Sequence, residues 1–158
     1  SLDKVTIVTD IDERMPIIFG DPEKLKQVWI NLLTNARDAL AGPGGTILVR
    51  SRLFSDRQQV TAWFADTGPG ITPENQHRIF DPFFTTKPVG QGTGLGLSVS
   101  FGIIKDHGGT IDVQSPAPPG IWGPDNPATG YGAVIRVDLP LDHEEIISGD
   151  LPPPPQEG

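Results

Sequence analysis

Hydrophobic and polar residues alternate with period two over Val5-Thr-Ile-Val-Thr9, which predicts a strand, and Ile17-Ile-Phe19 predicts a shorter one. The period then changes. Leu25, Val28, Trp29, Leu32, Leu33, Ala36 and Leu40 recur at i, i+3, i+4 and i+7, the buried face of an amphipathic helix. Asp21-Pro22 marks its start, an N-cap followed by proline at the first helical position, with Glu23 in the first turn. Gly42-Pro-Gly-Gly45 ends it. Two strands follow, Thr46 to Phe54 and Gln59 to Ala65, joined by the polar turn Ser55-Asp-Arg-Gln58. Pro73 to Phe80 reads as a short helix capped by Thr72, Asp81 to Thr93 as a loop, and Gly94 to His107 as a second long helix. Thr110 to Gln114 and Ala133 to Leu139 close the pattern as a pair of strands. Between them the Pro/Gly-rich stretch PAPPGIWGPDNPATG (116–130) shows no periodicity. The sum predicts the α/β class: a two-layer α/β sandwich whose mixed, largely antiparallel sheet carries helices on one face.

Composition narrows the class of partner. The 158 residues suit one domain with a proper core, and 19 glycines and 17 prolines account for a hydrophobic share of only 36%. A net charge of −8 argues against nucleic acid or an anionic membrane as a main partner. The absence of cysteine excludes disulfides, thiolate metal sites and cysteine nucleophiles. No apolar run reaches membrane-spanning length and no signal peptide opens the chain, so a soluble cytoplasmic domain is expected. That domain is expected over residues 3–147, followed by a disordered Pro-rich tail at 148–158. Ser1-Leu2 and Glu157-Gly158 read as cloning scars, with the natural protein expected to extend beyond both ends.

Four stretches carry candidate chemistry. On the first helix Asn31 and Asn35 lie one turn apart and Asp38 continues their row, about a third of a turn from the centre of the apolar face. Such a stripe is either an ordinary solvated flank or a pair of side-chain carbonyls aimed at one hard cation, which suits Mg²⁺ held jointly with nucleotide phosphates. Asp66-Thr-Gly-Pro-Gly70 ends a strand that should be buried. Its carboxylate is either a turn aspartate bonding its own backbone or an acceptor for an exocyclic amine, with Gly68 and Gly70 letting a flat base lie close. In Ile79 to Pro88, Pro82 and Pro88 prevent regular structure. The segment reads as a hinged cover anchored by Phe80 and Phe83, from which Lys87 can reach a phosphate. Gly90-Gln-Gly-Thr-Gly-Leu-Gly-Leu97 runs into a helix start, where backbone N–H groups and the helix dipole favour an anion. The glycines fit neither a P-loop nor the dinucleotide fingerprint. His77, His107 and His143 lack metal-ligand spacing, and His107 before Gly108-Gly109 is a helix C-cap.

Together these stretches resemble the catalytic and ATP-binding domain of sensor histidine kinases, the Bergerat fold shared with gyrase B, Hsp90 and MutL. The resemblance runs from about Val5 to Leu141. NLLTNARDAL (31–40) is similar to the N box, DTGPGI (66–71) to the first glycine box, IFDPFFTTK (79–87) to the F box and GTGLGL (92–97) to the second glycine box. NARDA and the TTK ending resemble the nitrogen-regulation type of sensor kinase.

The resemblance implies Mg-ATP as cofactor under a mobile lid, with Asn35 on Mg²⁺ and Asn31 assisting. It implies that Asp66 accepts the adenine amino group and that Gly68 and Gly70 border the base, with Ile71 also in the ATP site. Lys87 would approach the terminal phosphates, and Thr93, Gly94, Leu95 and Gly96 would contact phosphates through backbone. Asp38, Phe80, Thr86, Gly92 and Leu97 complete the implied nucleotide surroundings, and Asn31, Asn35 and Lys87 the implied catalytic set. In the gyrase and Hsp90 branch the position of Asn31 holds a glutamate that activates water. An asparagine cannot act as a general base, which favours a kinase over an ATP-hydrolysing switch; an anti-sigma-type serine kinase shares the fold but usually has a shorter, differently worded lid. The implied reaction passes the γ-phosphoryl to a histidine on an upstream dimerisation domain, and then to a response-regulator receiver aspartate. No histidine of this chain has the acceptor's context. The isolated domain is expected to be a monomer, and the longer protein a homodimer that a membrane segment could anchor.

Overall fold

A computed structural model describes residues 4–40, 44–85, 95–118, 120–123 and 132–141. Five strands form one sheet: β1 (Thr6–Asp10), β2 (Thr46–Phe54), β3 (Gln59–Asp66), β4 (Thr110–Gln114) and β5 (Ala133–Pro140), in the order β1-β2-β3-β5-β4. β1 runs parallel to β2, and every other pair is antiparallel. Arg50 and Arg52 on β2 both bond the Asp10 carboxylate, at 3.0 and 2.7 Å, and hold the end of the edge strand β1 in register. Those contacts, Arg52 foremost, hold the Asp10 carboxyl below its ordinary value.

The helix α1 (Pro22–Ala39) begins as its sequence predicts. Asp21 takes extended backbone geometry and its carboxylate accepts from the N–H groups of Glu23 and Lys24, which would otherwise be unpaired. Leu25, Val28, Leu32 and Ala36 are buried against the sheet, and Trp29 stacks on Phe64 with ring centroids 5.8 Å apart. α3 (Gly96–Asp106) packs beside α1 and buries Ile103 and Ile104 against Ile111, Ile135, Val137 and Leu139. The helix-covered core is continuous.

His107 caps α3, as expected, and also links the two helices. Its Nδ1 lies 2.7 Å from the Ile103 carbonyl, and its Nε2 accepts the Asp21 N–H at 2.9 Å. The ring therefore stands as the Nδ1–H tautomer and joins the last turn of α3 to the first residue of the α1 cap.

The other sheet face is not left bare. Alternation along β3 puts Trp63 and Ala65 there, and Ala117 and Ile121 from the Pro/Gly-rich stretch pack on Leu48, Ala65 and Val134, with Trp122 alongside. The part of 116–130 that is described thus acts as a cover for the back of the sheet. Its sequence gives no sign of this, because the few apolar residues that dock stand between prolines and glycines without any periodicity.

Two expectations are corrected. Ile17-Ile-Phe19 forms no strand: Pro16 has no N–H to donate, and Ile17 and Phe19 are exposed at 99% and 60% while Ile18 packs on the core. The helix at Pro73 is shorter than expected; α2 (Pro73–Gln76) keeps the Thr72 cap but gives way to turns before Phe80. The second long helix is described from Gly96, and its expected first residue Gly94 lies outside the described residues, as does the tail at 148–158.

Candidate functional site

Alternation along β3 places Ala62, Phe64 and Asp66 on the helix-covered face, so Asp66 ends the central strand pointing beneath α1. There a cavity of about 440 Å³ opens, within the range typical of small-molecule sites. Asn31, Thr34, Asn35, Asp38 and Ala39 line it from α1. Asp66, Pro69, Gly70 and Ile71 line it from the loop after β3, and Gly96 and Leu97 from the first turn of α3. Three of the four motif stretches, spread between residues 31 and 97, thus face one space, and Ile79, Phe84 and Thr85 add the edge of the fourth.

Asp66 is 4% exposed. Burial pushes its carboxyl up from the ordinary carboxylate range, and backbone N–H groups of Gly68 and Ala133 offset part of that rise. The Gly68 N–H bonds the carboxylate at 2.9 Å. Asp66 thus bonds its own turn, and it also lines the cavity. No ion pair among the described residues involves it. A buried carboxylate with acceptor capacity remaining toward a cavity is chemically suited to a neutral N–H donor.

The glycines of this loop are set by close approach. A Cβ at Gly68 would overlap the carbonyl oxygen of Ala39 at the end of α1. Gly70 holds φ +83, and Gly132, at φ +69, lies directly against the Asp66 backbone. Gly68 shapes the site without lining the cavity.

Asn31 and Asn35 diverge in role. The Asn31 amide nitrogen donates to the Gly96 carbonyl at 3.2 Å and to Ser100 Oγ at 3.3 Å, tying α1 to the start of α3. Ser100 is fully buried and donates in turn to Gly96 O at 2.8 Å. Asn35 lines the cavity one turn further along, with Asp38 beyond it. Oxygen donors of this kind fit Mg²⁺, which commonly takes one or two protein oxygens and completes its shell with phosphates and water. Among the described residues no group of three or more His, Cys, Asp or Glu could form a metal cage, so a metal here would lean on amide oxygen and ligand phosphate.

The aromatic anchors are rearranged. Phe80 packs on Phe101, ring centroids 5.6 Å apart, and joins the core without lining the cavity. Phe83 does not anchor: it adopts φ +67 after Pro82, which turns the ring outward to 72% exposure. Phe84 takes that place, lining the cavity under the Arg78 guanidinium, 4.7 Å from the ring centroid. Leu95 precedes α3 and its carbonyl accepts from Ser98 Oγ and the Val99 N–H, but it does not line the cavity. Thr86, Lys87, Gly92, Thr93 and Gly94 lie outside the described residues. Asn75, Ser115 and Gly132 belong to the site or its support and carry no motif signal; only the fold brings them there.

Comparison with known proteins gives consistent results. The family described as "Histidine kinase-, DNA gyrase B-, and HSP90-like ATPase" matches residues 20–143. The chain is 41% identical over 129 residues to the two-component sensor PprA of Pseudomonas aeruginosa, covering 79% of this chain and 13% of PprA. It is 39% identical over 139 residues to the signal transduction histidine-protein kinase AtoS of Escherichia coli, covering 88% of this chain and 20% of AtoS. To the sensory histidine kinase/phosphatase NtrB of Escherichia coli O157:H7 it is 36% identical over 121 residues, covering 72% and 34%. The chain thus spans about an eighth to a third of the length of these relatives. The nucleotide-free catalytic domain of the histidine kinase ThkA superposes with a TM-score of 0.71 at 33% identity, covering 89% of this chain and 82% of that one. ThkA in complex with the response regulator protein TrrA matches with a TM-score of 0.68 at 29% identity, covering 89% and 35%. Among the described residues no helix is long and apolar enough to cross a membrane.

Proposed function

This chain belongs to the histidine kinase-, DNA gyrase B- and HSP90-like ATPase family, as the ATP-binding domain of a sensor histidine kinase, and from that premise we propose that its cavity binds Mg-ATP for phosphoryl transfer to a histidine on another domain. The observation that carries the reading is the single cavity shared by Asn35, Asp66, Gly70 and Gly96. Asp66 accepts the adenine amino group, with Gly70 and Ile71 bordering the base. The first turn of α3 takes the phosphate end, where the N-terminal helix dipole favours negative charge. Lys87 and Thr93 reach the phosphates from the intervening segment, with Thr86, Gly92 and Gly94 beside them.

Asn35, which lines the cavity, would hold Mg²⁺, and the ion when bound would supply neutralisation of phosphate charge. Asn31 keeps α3 against α1 through its amide nitrogen and has only its oxygen left to turn toward the metal. An amide so committed cannot take a proton from water, which favours retention of the γ-phosphoryl for a histidine acceptor over hydrolysis. The residues of this chain therefore position and shield; little covalent chemistry falls to them. The domain works in the cytoplasmic part of a longer dimeric sensor protein, and a response-regulator receiver takes the phosphoryl from the histidine. The ThkA–TrrA complex supports that partner class.

The direct test mixes the domain with its histidine-bearing helical domain, Mg²⁺ and γ-labelled ATP. Label that survives base and is lost in acid is expected on the helical domain. Phosphate release without such label would instead identify a hydrolytic switch. Asn35→Ala is expected to weaken ATP binding chiefly when Mg²⁺ is present. Calorimetric titrations giving an equal loss with and without the metal would remove Asn35 as a ligand.

A further inference from the structure

The wall of the cavity at Ile71 is fixed from behind by two side chains. The Ile71 N–H donates to Ser115 Oγ at 2.8 Å, and the Ile71 carbonyl accepts from Gln76 Nε2, also at 2.8 Å. Ser115 Oγ in turn donates to the Gly132 carbonyl at 2.8 Å, so the hydroxyl accepts once and donates once. Gln76 Nε2 further donates to the Ser115 carbonyl at 3.0 Å, which closes a ring of bonds through Ile71, Gln76 and Ser115. The fit is tight: a Cβ at Gly70 would stand 2.7 Å from Ser115 Oγ and 3.0 Å from the Gly132 carbonyl.

Ser115 is also the residue at which β4 gives way to the Pro/Gly-rich stretch. Two residues on, Ala117 is buried on the back of the sheet, followed by Ile121, both against Leu48, Ala65 and Val134. A loop reading Thr67-Gly-Pro-Gly70 has high backbone freedom, and fixing it before the ligand arrives removes an ordering cost from binding.

We infer that Ser115, together with Gln76, is a positioning residue for the nucleotide: the two hold the peptide groups on either side of Ile71 in their binding geometry from the side away from the ligand, and the seating of Ala117 and Ile121 on the back of the sheet holds Ser115. The inference rests on the reading of the cavity as an adenine-nucleotide site.

The test titrates the whole chain with ADP well below its melting temperature, for Ser115→Ala, Gln76→Ala and the double variant. Each single change is expected to raise Kd about tenfold, the effect of losing one hydrogen bond that holds Ile71. The double variant is expected to fall short of the product, since both bonds act through Ile71. In the ligand-free protein the Ile71 amide is expected to exchange its hydrogen faster in Ser115→Ala. A purely structural role would lower Tm and leave Kd unchanged in all three variants, and that result overturns the inference. If Ser115→Ala does not fold, Gln76→Ala probes the bond on the other side of Ile71. Failure of the unaltered chain to bind ADP would defeat the reading of the cavity and the inference with it, whereas normal binding with unaffected variants defeats the inference alone.

Discussion

Asp66→Asn is expected to lose most of its affinity for ATP while making the ligand-free domain more stable at neutral pH. The buried carboxylate of Asp66 accepts the Gly68 N–H and has acceptor capacity left toward the cavity. Asparagine can keep only one of these. With its oxygen on Gly68, its NH₂ faces the adenine amino group, donor against donor; flipped, it abandons the turn. Loss of a hydrogen bond to a charged group costs about 1.5–3 kcal/mol, or roughly 10- to 150-fold in Kd.

The stability effect has the opposite sign. Burial raises the pKa of Asp66, so the folded state holds this proton more tightly than the unfolded state. Stability is then lost as pH rises from the unfolded-state value through the raised folded-state value, and the loss is complete above it. Asparagine carries no such charge. The Tm advantage of the variant, measured without nucleotide, is therefore expected to be small in acid and to grow toward neutral pH. Unchanged ATP affinity would remove Asp66 from the adenine site, and a Tm difference independent of pH would show that its ionisation is not what the fold resists.

Gly132→Ala is expected to be the most damaging single methyl that can be added at a described residue of the site. Gly132 adopts φ +69, and a Cβ there would overlap the carbonyl oxygen of Asp66 on the neighbouring strand. The left-handed conformation alone costs an alanine about 1–2 kcal/mol. Overlap with backbone adds about 1–3 kcal/mol, because a strand in the middle of a sheet cannot step aside. Gly120→Ala is the control: φ is +86, but nothing lies within 4 Å of the added Cβ. Urea unfolding is expected to place Gly120→Ala within about 2 kcal/mol of the unaltered chain and Gly132→Ala well below it. Equal midpoints for the two variants would mean that β5 does not start against Asp66. A displaced Asp66 also predicts weaker nucleotide binding in the fraction of Gly132→Ala that folds.

The parts of this protein that were legible in its sequence are those governed by neighbours along the chain. Asp21-Pro22 determines where α1 starts because a cap bonds N–H groups two and three residues away. Leu25, Val28, Leu32 and Ala36 identify the buried face because helical geometry repeats every few residues, and the alternating strands are read the same way. The motif positions Asn35, Asp66, Gly70 and Gly96 could be named in advance for the same reason, each sitting in a short recognisable stretch.

Tertiary structure decided what depends on contacts between distant segments. The Asn31 amide turns to Gly96, 65 residues on; Ile71 is held by Ser115, 44 residues on; and the Asp21 N–H finds His107 across 86 residues. Which phenylalanine faces the cavity was settled by the left-handed turn at Phe83. Ile17 and Phe19, apolar enough to predict a strand, stay exposed because no sheet edge reaches them. Periodicity reports which side of an element is apolar, but not which segment will arrive to cover it, so the cover at Ala117 and Ile121 and the glycine beneath Asp66 emerge only once the sheet has closed its order.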